Sequence, residues 1–277
     1  MWLPSFSNSM YVAWLRHLQC VHEDPDRRNP DTLVSRFFPW RDRLRARLLP
    51  KHELARLRRD PFYYYVLART RYYDAVTKGA LAEGVRTIVA IGSGSDTRAY
   101  RFGQELSAKH VTFIEADQAG AVAVKERMTS RWRRGRDVRF VPIDLHDAEW
   151  PALFDALGSN ASQRALVFLE GVTPYVHAPD MHRFFTVLSA RLAPESEIAY
   201  DGKLLGANDS LGRTDRATDP FRVPATPDAA RALHDAHGLH LDAFERSDAL
   251  SVRLVPRWPP EVRPFAEDVL LRLRVRR

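Results

Sequence analysis

The sequence has a single cysteine, Cys20, among its 277 residues. One thiol cannot form an intrachain disulfide, and a cysteine-based zinc site needs more than one. The chain also lacks any apolar run of about twenty residues, which a membrane-spanning helix needs. Its first residues lack the charged and apolar regions of a secretory signal. These absences predict a soluble, cytoplasmic protein with no membrane partner, in which Cys20 is a small core residue.

Lysine is scarce as well. Five lysines occur among the 42 basic residues, so the net charge of +7 comes almost entirely from arginine. The arginines are densest in the runs 41–47, 56–59, 131–136 and 272–277, and each run can be the solvated face of an element. Binding of single-stranded nucleic acid needs exposed aromatic residues among the basic ones, and only the run around Trp132 hints at this. The composition therefore does not favour a nucleic-acid partner.

The length allows one large α/β domain with a cap, or two small domains. The first eighty residues have helical spacing, and the longest predicted helix runs from Pro61 to Ala82, with Gly84 just past its end. Strands and helices then alternate, which is typical of a parallel sheet covered on both faces. We predict strands near 86–91, 111–115, 138–142, 165–170, 196–201, 239–245 and 271–276. We predict helices between them near 96–107, 119–131, 147–157, 179–192 and 227–237.

The turn at Gly92-Ser93-Gly94 is the most informative local feature. The mostly β-branched run 87–91 leads straight into it, as a buried parallel strand does when it ends in a turn that a ligand can approach closely. A second apolar run, 111–114, ends in Glu115 and Asp117. A carboxylate at that strand end suits a ribose diol, because two hydroxyls can donate to its two oxygens. Together these features predict a nucleoside-containing cofactor.

The same region indicates which cofactor to expect. A dinucleotide-binding turn needs a third glycine close to the pyrophosphate. Here the chain reads Ser95-Asp96-Thr97-Arg98, and the Asp96 carboxylate would repel a diphosphate. The Gly-Lys-Ser or Gly-Lys-Thr of a phosphate-binding loop is absent. A cofactor that contains adenosine but no phosphate fits better, and S-adenosylmethionine is the common one.

Several motifs together resemble the leucine carboxyl methyltransferase family of S-adenosylmethionine-dependent methyltransferases, in particular its bacterial small-molecule O-methyltransferase branch. The resemblance extends from about residue 60 to the C-terminus. It rests on residues 67–74 (LARTRYYD), 92–98 (GSGSDTR), 115–117 (EAD), 144–145 (DL) and 170–175 (EGVTPY). It implies an α/β, Rossmann-like class I methyltransferase fold. That fold has a seven-stranded, mostly parallel sheet with helices on both faces and an antiparallel last strand.

On this interpretation, residues 1–84 form an N-terminal helical cap packed on the core. Residues 85–277 form the S-adenosylmethionine-binding core. The segment 203–227 holds many Gly, Asn, Asp and Pro residues, and a loop of that length in a compact domain is usually a lid or binding loop. We therefore expect a substrate lid near 203–227.

The resemblance also assigns the methionine part of the cofactor. Arg69 is expected to hold its carboxylate, since a guanidinium on a helix is a bidentate partner for that group. Arg71 is the weaker candidate. The turn of Gly92, Ser93 and Gly94 is expected to line the same part.

The remaining cofactor contacts fall on acids at strand ends. Asp117 is expected to accept from the ribose hydroxyls, whereas Glu115 is given no cofactor contact. Asp144 and Leu145 would flank adenine, although Asp144 could instead cap a helix that begins near residue 147. Glu170, at the end of a buried strand, needs a partner, and the cofactor's ammonium group would be one.

The acceptor end departs from the family pattern. In the protein-methylating members an arginine follows the Asp-Leu pair and grips the substrate carboxylate, whereas here that position is His146. It could pair with a carboxylate as a cation, take a proton as a base, or be a surface residue. Tyr175 and Tyr73 could orient an acceptor, or simply pack. His177 and His234 are interpreted as ordinary loop and helix residues, and no metal is predicted.

We therefore predict an S-adenosylmethionine-dependent O-methyltransferase that converts the carboxylate of a small secondary-metabolite acid into a methyl ester. A carboxylate is ionised near neutral pH and needs no general base. The alternative within enzymes is methylation of a hydroxyl or phenol with His146 as the base. A nucleic-acid methyltransferase and a cofactor-binding protein without catalysis are the alternatives from other classes.

Overall fold

A computed structural model describes residues 7–133, 135–147, 149–158, 162–207 and 219–276. The chain divides into two compact units. The helical unit comprises Met1–Ala75, Ser95–Arg101 and Arg246–Ala266, and the sheet unit comprises Val76–Gly94, Phe102–Glu245 and Glu267–Arg277. The division into a cap of residues 1–84 and a core of residues 85–277 stays a prediction.

The helices lie at α1 (Asn8–His22), α2 (Trp40–Arg47), α3 (Lys51–Leu57), α4 (Pro61–Ala82), α5 (Arg98–Arg101), α6 (Gly103–Ala108), α7 (Ala119–Thr129), α8 (Pro151–Leu157), α9 (Ala178–Arg191), α10 (Pro227–Asp235) and α11 (Ser247–Leu254). The strands lie at β1 (Thr87–Ile91), β2 (Thr112–Asp117), β3 (Val138–Pro142), β4 (Ala165–Leu169), β5 (Glu197–Lys203), β6 (Leu239–Arg246) and β7 (Asp268–Val275).

The sheet unit is built on seven strands in the order β3-β2-β1-β4-β5-β7-β6. The first five strands pair in parallel, and β7 runs antiparallel to β5. Every residue of β1 and of β4 is buried, as expected for central parallel strands that are covered on both faces. The predicted fold class is confirmed, and α4 has the predicted bounds.

Two predicted helices differ from the structure. The helix expected over 96–107 is broken into α5 and α6, with the second starting at Gly103. The side chain of Arg136 packs against Gly103, and glycine is a poor residue for a helix interior, so the predicted helix is interrupted at this residue. The helix expected over 147–157 starts only at Pro151, because the preceding residues form a turn closed by Asp144.

The helical unit contains a buried network of acids and arginines. Arg101 makes a bidentate contact with Asp74, at 2.6 and 2.7 Å, and Arg98 lies 2.9 Å from the same carboxylate. Arg98 also donates to Asp96 at 2.5 Å. The charge of Asp96 is therefore offset locally, so the repulsion of a diphosphate predicted from that carboxylate is weaker than the sequence suggests. The missing third glycine remains the stronger argument.

The predicted substrate lid lies only partly within the described residues. Of the predicted lid at 203–227, residues 208–218 lie outside the described residues, so the lid stays a prediction. The described flanks form isolated bridges between Leu204 and Val223 and between His177 and Pro220.

In the described ranges, no helix is long and apolar enough to cross a membrane.

Candidate functional site

The candidate site lies where the parallel strands of the sheet unit end. β1 lies between β2 and β4, with Ile91 aligned with Ala116 and with Leu169. Gly92, Asp117 and Glu170 therefore follow three adjacent strand ends at one edge of the sheet. The strand order also changes direction at β1, and open α/β sheets bind ligands at such a point. The structure thus brings these predicted residues together.

The turn after β1 requires its glycines. Gly92 has φ of +62° and Gly94 has φ of +37°, a region that residues with a Cβ rarely adopt. A Cβ on Gly92 would also lie 2.5 Å from Cγ2 of Val172, in the loop after β4. The backbone N–H of Ser93 donates to the carbonyl of Ala116 at 3.2 Å. A backbone hydrogen bond therefore joins the turn to β2, and the side chain of Val172 packs closely against Gly92.

Asp117 holds the same turn. Its Oδ2 accepts a hydrogen bond from the Gly94 N–H at 2.8 Å, and its Oδ1 accepts one from the N–H of Gln118 at 2.8 Å. An ionised carboxylate has about four lone-pair positions, so each oxygen can accept a further bond. The carboxylate can therefore shape the turn and still receive the hydroxyls of a diol.

Lys125, on α7, supports the turn, and the sequence pattern did not predict this role. Its Nζ donates to the carbonyl of Ser93 at 3.0 Å and faces the buried Glu115. Lys125 itself is buried. The sequence held one sign of this role, since Lys125 is the first charged residue of α7 and directly follows the uncharged run Ala119–Val124. The partner of Glu115 is thus a lysine of the chain.

Asp144 closes a turn after β3. Its Oδ1 accepts from the N–H of His146 at 3.0 Å, and its backbone carbonyl accepts from Nε1 of Trp150 at 2.7 Å. The alternative that Asp144 caps a helix is wrong, because α8 begins at Pro151 and its N-cap residue is Trp150. Leu145 is buried beside it. The adenine contacts of Asp144 and Leu145 stay predictions.

The loop after β4 is held by Asp201, an acid for which the sequence pattern predicted no role. Oδ1 of Asp201 accepts from the N–H of Gly171 at 2.7 Å, and its carbonyl accepts from Oγ1 of Thr173 at 3.0 Å. Asp201 is buried in β5, and an acid within an apolar strand was the available signal. Glu170 and Tyr175 on this loop are both half-buried.

His146 is exposed and paired. Its Nδ1 lies 2.6 Å from Oδ2 of Asp180, the third residue of α9. Arg183 contacts the other oxygen of Asp180 at 2.7 Å. The hydrogen bond from His146, strengthened by Arg183, lowers the pKa of Asp180. An ionised carboxylate can only accept, so Nδ1 of His146 carries a proton.

Arg69 and Tyr73 lie on α4 in the helical unit. Arg69 is buried, with Cζ 5.5 Å from the ring centroid of Tyr65. Tyr73 is fully buried, and Cζ of Arg98 lies 5.5 Å from its ring centroid. Their predicted roles toward the cofactor and the acceptor stay predictions.

The side chain of Arg71 donates hydrogen bonds to backbone carbonyls. Its guanidinium donates to the carbonyl of Leu254 at 2.6 Å and to those of Asp26 at 2.6 Å and Arg28 at 3.3 Å. These bonds tie segments of the helical unit together, so Arg71 has a structural role.

His234 lies in the sheet unit, away from the turn after β1 in the sequence. His234 is buried, and its Nε2 lies 2.8 Å from the hydroxyl of Tyr200. Among the described residues, no group of three or more His, Cys, Asp or Glu side chains is placed to hold a metal ion.

Comparison with known proteins now decides the family. A sequence model of the leucine carboxyl methyltransferase family matches residues 9–189. The chain belongs to this family. The family prediction is confirmed. The matched residues differ from the predicted extent, since the match begins well before residue 60 and ends at residue 189 rather than at the C-terminus.

Curated relatives agree. A protein of Mycobacterium avium (strain 104), named as an S-adenosyl-L-methionine-dependent methyltransferase, is 32% identical over 200 residues, covering 68% of this chain and 62% of the relative. A protein of the same name from Mycolicibacterium smegmatis is 33% identical over 209 residues, covering 73% of this chain and 64% of the relative. The chain thus spans less than two thirds of the length of these relatives. Their names give the same cofactor as the sequence predicts.

A solved structure shares the fold. A crystal structure from Galdieria sulphuraria, described as a sarcosine dimethylglycine methyltransferase, has a TM-score of 0.50 at 12% identity, covering 77% of this chain and 88% of that one. At that identity the likeness concerns the fold alone.

Proposed function

We propose that the protein is an S-adenosylmethionine-dependent O-methyltransferase that esterifies the carboxylate of a small-molecule acid. The main support is the turn between Gly92 and Gly94, which Asp117 holds at the centre of the strand-end edge. Membership of the leucine carboxyl methyltransferase family supports the reaction class.

The residues at this edge fit the cofactor. The positive φ angles and the close approach of Val172 keep side-chain atoms out of the turn, so a ligand can reach its backbone. Asp117 retains acceptor capacity for the ribose, and Glu170 offers a carboxylate to an ammonium group. When bound, S-adenosylmethionine supplies a methyl group on a positively charged sulfur. Arg69 is kept, on the family resemblance, as the partner of its methionine carboxylate.

A carboxylate is proposed as the methyl acceptor because it needs no proton removed before it reacts. A carboxylate acceptor is already ionised near neutral pH, so the protein needs only to position it. Correct positioning of two reactants can lower a barrier by up to about 7–11 kcal/mol. Tyr175 is proposed to orient the acceptor, and a protonated His146 is proposed to pair with its charge.

Methylation of a hydroxyl or phenol is the second candidate, and one contact favours it. Because Asp180 holds the proton on Nδ1 of His146, a neutral imidazole presents Nε2 as the nitrogen that can accept a proton. This arrangement of a carboxylate, an imidazole and an acceptor proton is the one used by histidine general bases.

The test is incubation with methyl-labelled S-adenosylmethionine and a panel of aliphatic acids, aromatic acids and phenols, followed by mass spectrometry. We expect a labelled product from an acid, and mild alkali should release the label as methanol. An alkali-stable product would support the phenol or hydroxyl candidate instead. If the protein binds the cofactor but labels no member of the panel, the proposed reaction is wrong.

Cofactor contacts are tested by calorimetry with S-adenosylhomocysteine. Asp117→Asn keeps an oxygen for the Gly94 N–H but loses the charge, whereas Asp117→Ala loses both. We expect both to weaken binding, with the larger loss in Asp117→Ala. Arg69→Ala should abolish binding of S-adenosylhomocysteine. Unchanged affinity in all three variants would overturn the assigned contacts.

A further inference from the structure

Residues 40–59 form a strongly basic segment of the chain. Residues 40–59 hold eight arginines and lysines against two acids, a net charge of +6 in a chain whose total is +7. Within the segment, Arg45 lies 3.1 Å from Asp42 and Arg56 lies 3.1 Å from Glu53, so both of its acids are paired and the other cations exceed them. The stretch that contains α2 and α3 is therefore one of the most basic parts of the chain.

The same segment exposes large apolar side chains. Trp40, Leu44 and Leu48 are 62%, 44% and 60% exposed. Successive residues of an α-helix are rotated by about 100°, so three residues spaced by four lie within an arc of about 80°. Ala46, on the opposite side of α2, is buried. Together these three residues form an apolar stripe that faces away from the helical unit.

Arginines flank the stripe on both sides. By the same rotation, Arg43 and Arg47 lie along one edge of the stripe, and Arg41 and Arg45 lie along the other. Cζ of Arg41 lies 5.6 Å from the ring centroid of Trp40. We name these seven residues the basic–apolar face: Trp40, Leu44, Leu48, Arg41, Arg43, Arg45 and Arg47.

A cavity continues this face toward α3. It has a volume of about 730 Å³, and the cations Arg47, Lys51 and Arg59 among its lining residues outnumber the one acid, Glu261. Within the described part of the chain, the side chains of Arg47, Lys51 and Arg59 form no hydrogen bond or ion pair, and Leu48 lies between two lining residues. These cations are thus available to anions from outside the protein.

We propose that the basic–apolar face docks on the surface of a membrane rich in anionic lipids. Trp40, Leu44 and Leu48 would enter the boundary between head groups and acyl chains, while the flanking arginines and the cations of the cavity contact lipid phosphates. Tryptophan suits that boundary because its ring is apolar and its N–H is polar. Surface docking needs no spanning helix, so the proposal replaces the expectation of no membrane partner, which rested on the lack of a long apolar run.

A lipid surface explains the face better than a nucleic acid does. Phosphates of either partner could satisfy the arginines. The aliphatic side chains of Leu44 and Leu48, however, gain nothing beside a phosphate backbone, whereas they are removed from water in a bilayer. No residue of the methyltransferase site takes part, so this proposal is independent of the proposed function.

The experiment is flotation of the purified full chain with vesicles on a density gradient. Vesicles of equimolar phosphatidylglycerol and phosphatidylcholine should retain at least on the order of tenfold more protein than pure phosphatidylcholine. Added salt should reduce the retention, because it screens the arginines. Equal retention on both vesicles, or none on either, would overturn the proposal without any variant.

Two variants with matched controls locate the contact. Trp40→Ala/Leu44→Ala/Leu48→Ala should lose most of the retention, whereas the control Val124→Ala/Met128→Ala/Val252→Ala removes exposed apolar residues elsewhere and should keep it. Changing Arg41, Arg43, Arg45 and Arg47 to Gln should also release the protein. The control that changes Arg133, Arg164, Arg231 and Arg246 to Gln removes equal charge from ion-paired sites and should not.

Binding measurements with a single-stranded oligonucleotide distinguish a lipid site from a nucleic-acid site. If the wild type and the triple alanine variant bind a single-stranded oligonucleotide with equal affinity, the arginine-to-glutamine variant does not bind it, and none of them binds vesicles, the face is a nucleic-acid site and the proposal fails. If both triple alanine variants float equally well with anionic vesicles, the apolar stripe has no role and the proposal also fails.

Discussion

Nζ of Lys125 lies 3.1 Å from Oε1 of Glu115, and both side chains are buried beneath the glycine turn. The same ammonium donates to the carbonyl of Ser93. One buried cation therefore joins α7, the end of β2 and the turn that follows β1. The shape of the turn depends on this ion pair, although neither residue was assigned to the cofactor.

Lys125→Met should destabilise the protein. Removing one partner of a buried ion pair leaves the other charge unpaired, at a cost of about 3–5 kcal/mol. The control Arg133→Met breaks an exposed pair with Glu126 at 3.1 Å and should cost about 0–1 kcal/mol. Urea unfolding followed by circular dichroism measures both, and equal midpoints for the two variants would refute the role of Lys125.

Gly92→Ala should lower both stability and cofactor affinity. Its φ of +62° strains any residue with a Cβ, at about 1–2 kcal/mol, and the added Cβ would lie 2.5 Å from Val172 Cγ2. Gly84→Ala is the control, since it has φ of +81° but nothing within 4 Å of the added Cβ. Gly92→Ala should therefore melt at a lower temperature than Gly84→Ala.

A double-mutant cycle then isolates the clash. Val172→Ala should cost less in the Gly92→Ala background than in the wild type, because it also makes room for the new methyl group. Additive effects of the two substitutions would show that Val172 does not limit the turn.

Stability should fall in mild acid because of buried histidines. Burial lowers the pKa of His234 to about 4, and burial with nearby Arg47 and Arg43 does the same for His17. Above the unfolded pKa of about 6.5 both states are neutral and stability is full. As pH falls through 6.5 toward 4, the unfolded chain takes up protons first, so each histidine costs up to about 3 kcal/mol.

The comparison of unfolding midpoints near pH 7 and near pH 5 tests this. His234→Gln should show a smaller drop than the wild type, because it no longer titrates. His240→Gln, at an exposed position, should retain the full drop. The prediction fails if His234→Gln and the wild type lose the same stability between the two pH values.

Cys20 should be unreactive in the native protein. Burial, with Asp31 as the next cause, raises the pKa of its thiol to about 12. Its Sγ donates to the carbonyls of Asn29 and Asp31 at 3.3 Å each. Near pH 8, Ellman's reagent should react on the order of a thousandfold more slowly with the folded than with the unfolded protein. Reaction of the folded protein as fast as free glutathione would contradict this.

Local pattern alone was sufficient for much of the fold. The apolar runs of β1 and β4 predict strands, the alternation over 271–276 predicts a strand with one face in water, and Pro61 with Gly84 brackets α4. The glycine turn and Asp117 were predicted as neighbours because the ends of consecutive parallel strands meet at one edge. These features depend on residues close together in sequence, or on a strand order common to the fold.

Pairings between distant residues were decided only by the tertiary structure. The pairing of Lys125 with Glu115 and that of His146 with Asp180 join separate elements whose approach depends on strand order, register and helix packing. The exposure of the Trp40 stripe is of the same kind. Its apolar spacing would fit a buried helix face equally well, since periodicity tells which residues share a face but does not tell what that face meets.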